Sequence, residues 1–348
     1  MPVEYKQFNP SQDVTTTKTL LHEVIPITGS ILSGTYGTFP NEGNIKNYSH
    51  GMFQSVYDYP YLSSSANHII DITVGYDEDS GLSGSGTQNA KKINLYNQYA
   101  QVLLGYTGSE ADSVRKFERD TTLDQTGSMK EVIFLSLSRL ITKDQIKKGS
   151  FQLSIGTGSS FSDPFAGGTL TLTDAQATDT GGTNPAQGGD YGVLYTSSVG
   201  INANSGFGNI FYQAGIVVLT ASVFGASSEM DSSARTIDDL LTGSAISASC
   251  DAIRHRISNL TFNNTTEINS KIYFCRAPFN RFNYSANPTY TSGSKIVTKN
   301  VAADTPIAYI TTIGLYSSSG ELLATAKLSE PLRKDPTNEL TLRVRLDY

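Results

Sequence analysis

The sequence predicts a mainly β protein with a few short helices, built as a β-sandwich-like or mixed β-sheet structure and ending in a β-hairpin plus a terminal strand. Three observations carry this. Short runs of β-branched and aromatic residues alternate with polar ones along most of the chain. Charged residues make up only 17% of it, against about 25% on average, while Gly (31) and Tyr (19) are plentiful. Helical spacing of apolar residues is confined to a few stretches.

The strands follow in order. His68 to Val74 alternates, and Val132 to Leu137 is an apolar run suited to a strand buried on both faces. Phe151 to Ile155, Thr169 to Thr173, Tyr191 to Thr196 and Lys271 to Cys275 continue the pattern. Ile210 to Phe224 is broken by Gly215, which predicts either two strands or one bent at a bulge. Ile307 to Tyr316 and Leu322 to Leu328 flank Ser317-Ser-Ser-Gly320 and predict a hairpin. Leu340, Leu342, Val344 and Leu346 share one face of the last strand, and Thr341, Arg343 and Arg345 share the other. A strand so close to the last residue is expected to be tied into a sheet.

The strongest helix is Asn89 to Tyr106, with Ile93, Tyr96, Ala100, Leu103 and Leu104 on one face and Gly105 as its stop. A short helix is predicted at Lys143 to Lys148, with Thr142 as N-cap, Gln145 completing a capping box and Gly149 at C′. Thr236 to Leu241 is a further candidate. Residues 156–208 are rich in Gly, Ser and Thr, and Asp179 to Asp190 is expected to be an exposed loop. The expected organisation is a β-rich half at 1–155 with one amphipathic helix at about 89–104, a loop or insertion at 156–208, and a second β-rich half at 209–348.

Composition narrows the function. With 26 basic and 32 acidic residues the net charge is −6, so the chain has no electrostatic bias towards nucleic acid or anionic lipid. No signal peptide is visible at the first residues, and the most apolar stretch, Phe211 to Phe224, is shorter than a membrane helix. Cys250 and Cys275 lie 25 positions apart and could pair in space, but in a reducing compartment they read as two buried free thiols.

Local chemistry is sparse. His22, His50, His68 and His255 stand at no metal-ligand spacing, and no Gly-x-Ser-x-Gly elbow occurs. Gly81 to Gly86 and Gly156-Thr-Gly158 lack the Gly-Lys-Ser/Thr of a phosphate loop. Asp77-Glu-Asp79-Ser-Gly81 starts like a calcium loop, but Gln88 stands where the bidentate Glu belongs. The expectation is therefore no enzyme, no cofactor and no metal site. Two aromatic clusters stand out: Tyr57, Tyr59 and Tyr61, and Phe279, Arg281, Phe282 and Tyr284. With Arg343, Arg345 and Tyr348 they form the candidate interface set, because aromatics and Arg are enriched at interface hot spots. They also read as ordinary half-buried aromatics beside turns, or as platforms for sugar rings.

Three stretches resemble a known group. They are Asn89-Ala-Lys-Lys-Ile-Asn-Leu-Tyr-Asn-Gln-Tyr-Ala-Gln-Val-Leu-Leu-Gly-Tyr106, then Cys250-Asp-Ala-Ile-Arg-His-Arg-Ile with Phe262-Asn-Asn-Thr-Thr-Glu267, and the ending from Tyr309 to Tyr348. Together they resemble virion structural proteins of tailed bacteriophages, particularly T4-like contractile-tailed cyanophages, over most of the chain after about Phe8. The resemblance implies a place in the tail, neck, baseplate or capsid surface, with other virion proteins and copies of itself as partners. It also implies synthesis and assembly in the host cytoplasm. It transfers no catalytic residue. The second reading is a host-recognition fibre or adhesin that binds a cell-surface glycan, and the third an enzyme on envelope polysaccharide.

Overall fold

The computed structural model describes residues 5–107, 113–196, 205–285, 290–292, 295–296, 303 and 305–348. The protein is mostly β, with several antiparallel sheets and few helices. It divides into two compact units, residues 21–266 and residues 1–20 with 267–348. This is a different division from the one expected at 156 and 208. The long strands Val14–Thr28 and Ile257–Ala277 each belong in part to both units.

The larger unit is built on an eight-stranded antiparallel sheet. Its order is Thr183–Ala186, Gly189–Leu194, Gly208–Phe211, Ile216–Thr220, Glu131–Leu137, His68–Tyr76, Gln54–Tyr57 and Ile45–Asn47. Glu131–Leu137 lies near the middle, and its alternate residues enter two different cores. Ile133, Leu135 and Leu137 pack in one cluster with Ile70, Ile72, Val217 and Leu219, while Val132 and Phe134 pack in another with Tyr96, Phe117 and Phe211. That double burial explains why Val132 to Leu135 is an unbroken apolar run instead of alternating. Strands Gln152–Gly156 and Thr169–Thr173 and the first part of Ile257–Ala277 form a second sheet, whose Leu153, Ile155, Leu172, Ile257 and Leu260 join the first cluster.

Helix Asn89–Leu103 covers the second core, and Gly105 ends it with φ +79°. Its buried face contains Lys92, not Ile93, which is half-buried. The Lys92 ammonium donates to the Ser244 carbonyl at 2.8 Å and to that of Leu241, satisfying acceptors at the end of helix Ile237–Gly243. That helix, a candidate from the sequence, is capped by Thr236, with Asp239 completing a capping box.

Other local expectations are corrected. Lys143 to Lys148 is not a helix. A single turn, Arg139–Thr142, precedes it, Lys143 takes φ +57°, and Gln145–Ile146 pairs with Thr265 and Asn264 as a short strand. Long-range pairing overrides the local capping pattern. Asp179 to Asp190 holds the strand Thr183–Ala186, paired with Gly189–Leu194, so the run is a hairpin and not a loop. At Gly215 the chain does turn: φ is +68°, and Gly208–Phe211 and Ile216–Thr220 pair antiparallel on either side. The helix Ile246–His255 buries an apolar stripe of Ile246, Cys250 and Ile253, and the strand Val14–Thr28 has no alternation in its sequence.

In the smaller unit, Leu340–Asp347 pairs antiparallel with the strand ending at Ala277, from Ser270 opposite Asp347 to Ala277 opposite Leu340. Ala308–Tyr316 and Leu322–Lys334 form the expected hairpin, with Gly320 at φ +84° in the turn. Lys334, fully buried, is held by the Asn283 side chain at 2.6 Å and by the carbonyls of Asp335 at 2.8 Å and Phe279 at 3.3 Å.

Candidate interaction surfaces

The first surface is the outward face of the strands Ile45–Asn47, Gln54–Tyr57 and His68–Tyr76. The register sets Ile45 opposite Val56 and Lys46 opposite Ser55, which in turn lies opposite Asp71. Ile45 and Val56 point into the core, so Lys46, Ser55 and Asp71 share the other face, where Tyr57 also projects. Asp71 accepts from Ser55 and faces His68 Nε2 at 2.8 Å. Burial, then the hydrogen bond with Tyr48, raises the Tyr57 phenol above its ordinary range.

Tyr57 and Tyr61 come together here, while Tyr59 pairs with Tyr36 instead. Tyr57 and Tyr61 lie 6.3 Å apart, Tyr57 meets the His68 ring at 5.5 Å, and Tyr59 meets Tyr36 at 5.9 Å. Tyr48, His50 and Phe53 form an adjoining trio, with Tyr48 and His50 stacked at 5.0 Å. Lys46 Nζ sits 4.8 Å from the Tyr48 ring centre and 5.9 Å from that of Tyr61. Sequence reading missed Tyr36, Lys46 and Tyr48, because the loops that deliver them meet through the fold.

The second aromatic cluster is looser. Phe279 and Tyr284 are exposed and Phe282 is half-buried at φ +57°, with no ring contact joining them among the described residues. Arg281 is exposed beside them. On the last strand Arg343 and Arg345 are exposed, as expected of its polar face. Arg345 pairs with Asp347 at 2.6 Å and reaches Ser270 at 3.1 Å, and Lys271 lies over the exposed Tyr348 ring at 5.8 Å. Hydrogen bonding to Ser270, then to Arg345, lowers the Asp347 carboxyl.

A third surface was not foreseen. From Thr15 to Val24 every residue of the strand Val14–Thr28 is exposed, so both faces of the strand meet solvent. Leu20, Leu21 and Val24 are among them, and Val24 is 64% exposed. The hairpin likewise leaves Tyr309, Tyr316, Leu322 and Leu323 exposed.

Several titratable groups with displaced pKa values are committed to internal bonds. Burial lifts Glu118 to about 7, although the N–H groups of Gln125 and Asp124 donate to its carboxylate at 3.0 and 3.1 Å. Burial lowers Lys92 to about 8, raises Asp174 and raises the Cys250 thiol. Asp174 accepts from the amides of Gly149 and Phe151 and from Tyr212, while Cys250 donates to the Ile72 carbonyl at 3.1 Å. Cys250 and Cys275 are both free thiols. The acidic turn after Tyr76 receives a cation from the chain itself: Lys116 bridges Asp77 at 2.8 Å and Asp79 at 2.6 Å. Among the described residues no three His, Cys, Asp or Glu side chains are placed to hold a metal ion, and no helix is long and apolar enough to cross a membrane.

No family model matches this sequence, and no curated protein or solved structure matches it either.

Proposed function

We propose that the chain is a structural subunit of a phage virion, in the tail, neck or baseplate region, that works through protein–protein contacts with other virion proteins and copies of itself in a symmetric assembly. The observation that carries this is the strand Val14–Thr28. A strand normally buries one face against a core, whereas here Leu20, Leu21 and Val24 face solvent on both sides over the run from Thr15 to Val24. Such a strand is the outermost of its six-stranded sheet, and an outer strand is a template for another chain unless its edge is blunted. The Leu322 and Leu323 side chains at the hairpin turn add exposed apolar surface of the same kind. The resemblance of the three sequence stretches to tailed-phage structural proteins supports the same reading.

The test is Leu21→Asp combined with Val24→Asp. Both side chains are exposed, so the isolated chain keeps its unfolding midpoint, while incorporation into particles drops. Normal incorporation of the folded variant would remove this strand from the interface.

A further inference from the structure

We propose that the tyrosine face around Lys46 binds a saccharide that carries a carboxylate. Tyr57 and Tyr61 pair their rings there, and Tyr36 and Tyr59 form a second tilted pair on the two loops that Gly43 ties together. Tyr59 is 49% exposed and Tyr61 37%, so each ring packs on its neighbours and leaves further surface to solvent. A sugar ring presents C–H groups on its faces and hydroxyls on its rim. The electron-rich face of an aromatic ring attracts those C–H groups, and phenol hydroxyls bond the rim.

The platform is held before any ligand arrives. The loop from Asp58 to Asn67 is closed at its base by three bonds: Asp58 N–H to the Asn67 carbonyl at 3.1 Å, Asn67 N–H to Asp58 Oδ1 at 2.6 Å, and Asn67 Nδ2 to Asp58 Oδ2 at 2.8 Å. Gly43 ties this loop to the one bearing Tyr36. Its N–H donates to the Tyr36 carbonyl at 2.9 Å, and its carbonyl accepts from Tyr61 N–H at 3.1 Å. Rings fixed in this way lose little conformational freedom when a ligand stacks on them.

Charge selects the class of sugar. Lys46 sits between the Tyr48 and Tyr61 rings and forms no ion pair among the described residues. The nearest acid in its cross-strand row, Asp71, is engaged by Ser55 and His68. An ammonium flanked by aromatic rings and lacking a carboxylate leaves a place for one on the ligand, where the hydrogen bond would be charge-assisted. A neutral glycan would fill the rings and leave Lys46 unanswered.

The experiment is isothermal titration of the full chain with tetragalacturonate, with an oligoguluronate as second acidic probe and maltotetraose as the neutral control. The acidic probes are expected to bind at least about tenfold more tightly than maltotetraose. Lys46→Ala should remove that preference, and Lys46→Arg should restore it. Tyr61→Ala should weaken both classes by about tenfold or more, and Tyr61→Phe by much less. Circular dichroism on each variant separates loss of fold from loss of the site. Failure of both acidic probes to bind, equal binding of maltotetraose, or indifference to Lys46→Ala would overturn the proposal. Failure to bind together with defective particle incorporation of Tyr61→Ala would overturn it and assign the face to a protein partner. Binding is read on the isolated chain, so a negative result leaves the assembly role standing.

Discussion

Arg254 offers the sharpest perturbation of the larger unit. Its side chain is fully buried and donates to the Leu32 carbonyl at 2.7 Å, the Pro40 carbonyl at 2.8 Å, Glu42 at 2.7 Å and Asp251 at 2.9 Å, with the Phe39 ring 4.8 Å away. Arg254→Met retains much of the volume and removes every donor. Asp251 can turn to water and keeps Gln54 at 2.8 Å, because its side chain is 21% exposed. Glu42 cannot, since its side chain is 0% exposed. A buried charge stranded in this way costs about 3–5 kcal/mol, a large part of the ~5–15 kcal/mol that a domain commands. The two orphaned carbonyls add to the same loss but not as a simple sum. Urea unfolding followed by far-ultraviolet circular dichroism should show a lower midpoint with little change of slope. Adding Glu42→Gln removes the stranded charge and should recover about 1–2 kcal/mol. A loss below about 1 kcal/mol for the single variant, or no recovery in the double, would refute the assignment of Arg254–Glu42 as a coupled buried pair. The arginine also ties down both ends of the loop bearing Tyr36, so the same variant should weaken binding on the tyrosine face.

Further outcomes follow from the other buried and exposed charges. Burial raises Glu118 to about 7, above the ~4.3 of a free glutamate, so the folded state favours its protonated form. Its contribution to stability is complete below the unfolded value and is lost as pH rises through about 7. Glu118→Gln should flatten the melting temperature against pH between about 4.5 and 7, and an unchanged slope would contradict this. Burial lowers His255 below its ordinary value, in a pocket where its ring lies 4.6 Å from Phe39 and 4.7 Å from Phe161. The folded state therefore favours neutral imidazole, and its contribution is lost as pH falls below about 6.5; His255→Gln should lessen the acid sensitivity in that window. Arg343→Glu with Arg345→Glu should leave the chain folded and disturb assembly, since both side chains are exposed. Normal incorporation would count against that face as an interface.

The inner strands of the central sheet, from Gly189–Leu194 to His68–Tyr76, were legible because burial wrote itself into composition. Val132 to Leu135 is an unbroken apolar run because each face of that strand meets a core, and His68–Tyr76 beside it alternates at Ile70, Ile72 and Val74 because one of its faces joins the first core. The last strand alternated cleanly because one of its faces is exposed. Where partners far along the chain decided the outcome, local signals misled. The capping pattern at Thr142 lost to pairing with Thr265, and the Gly-rich run near Asp179 found a strand partner in Gly189–Leu194. Val14–Thr28 was illegible for the opposite reason: from Thr15 to Val24 both of its faces are in solvent, with no core to impose a period. Of the candidate residues, Tyr57, Tyr59 and Tyr61 were visible as a local cluster. Lys46 was not, because what distinguishes it is the company of Tyr48 and Tyr61 in space.

The central claim is a place in the virion, and immunogold labelling of purified particles with antibody against this chain tests it most directly. The account predicts gold at the neck, along the tail or at the baseplate, in a regular number per particle. Particles without gold would contradict it outright, and gold confined to fibre tips would replace the structural role with host recognition.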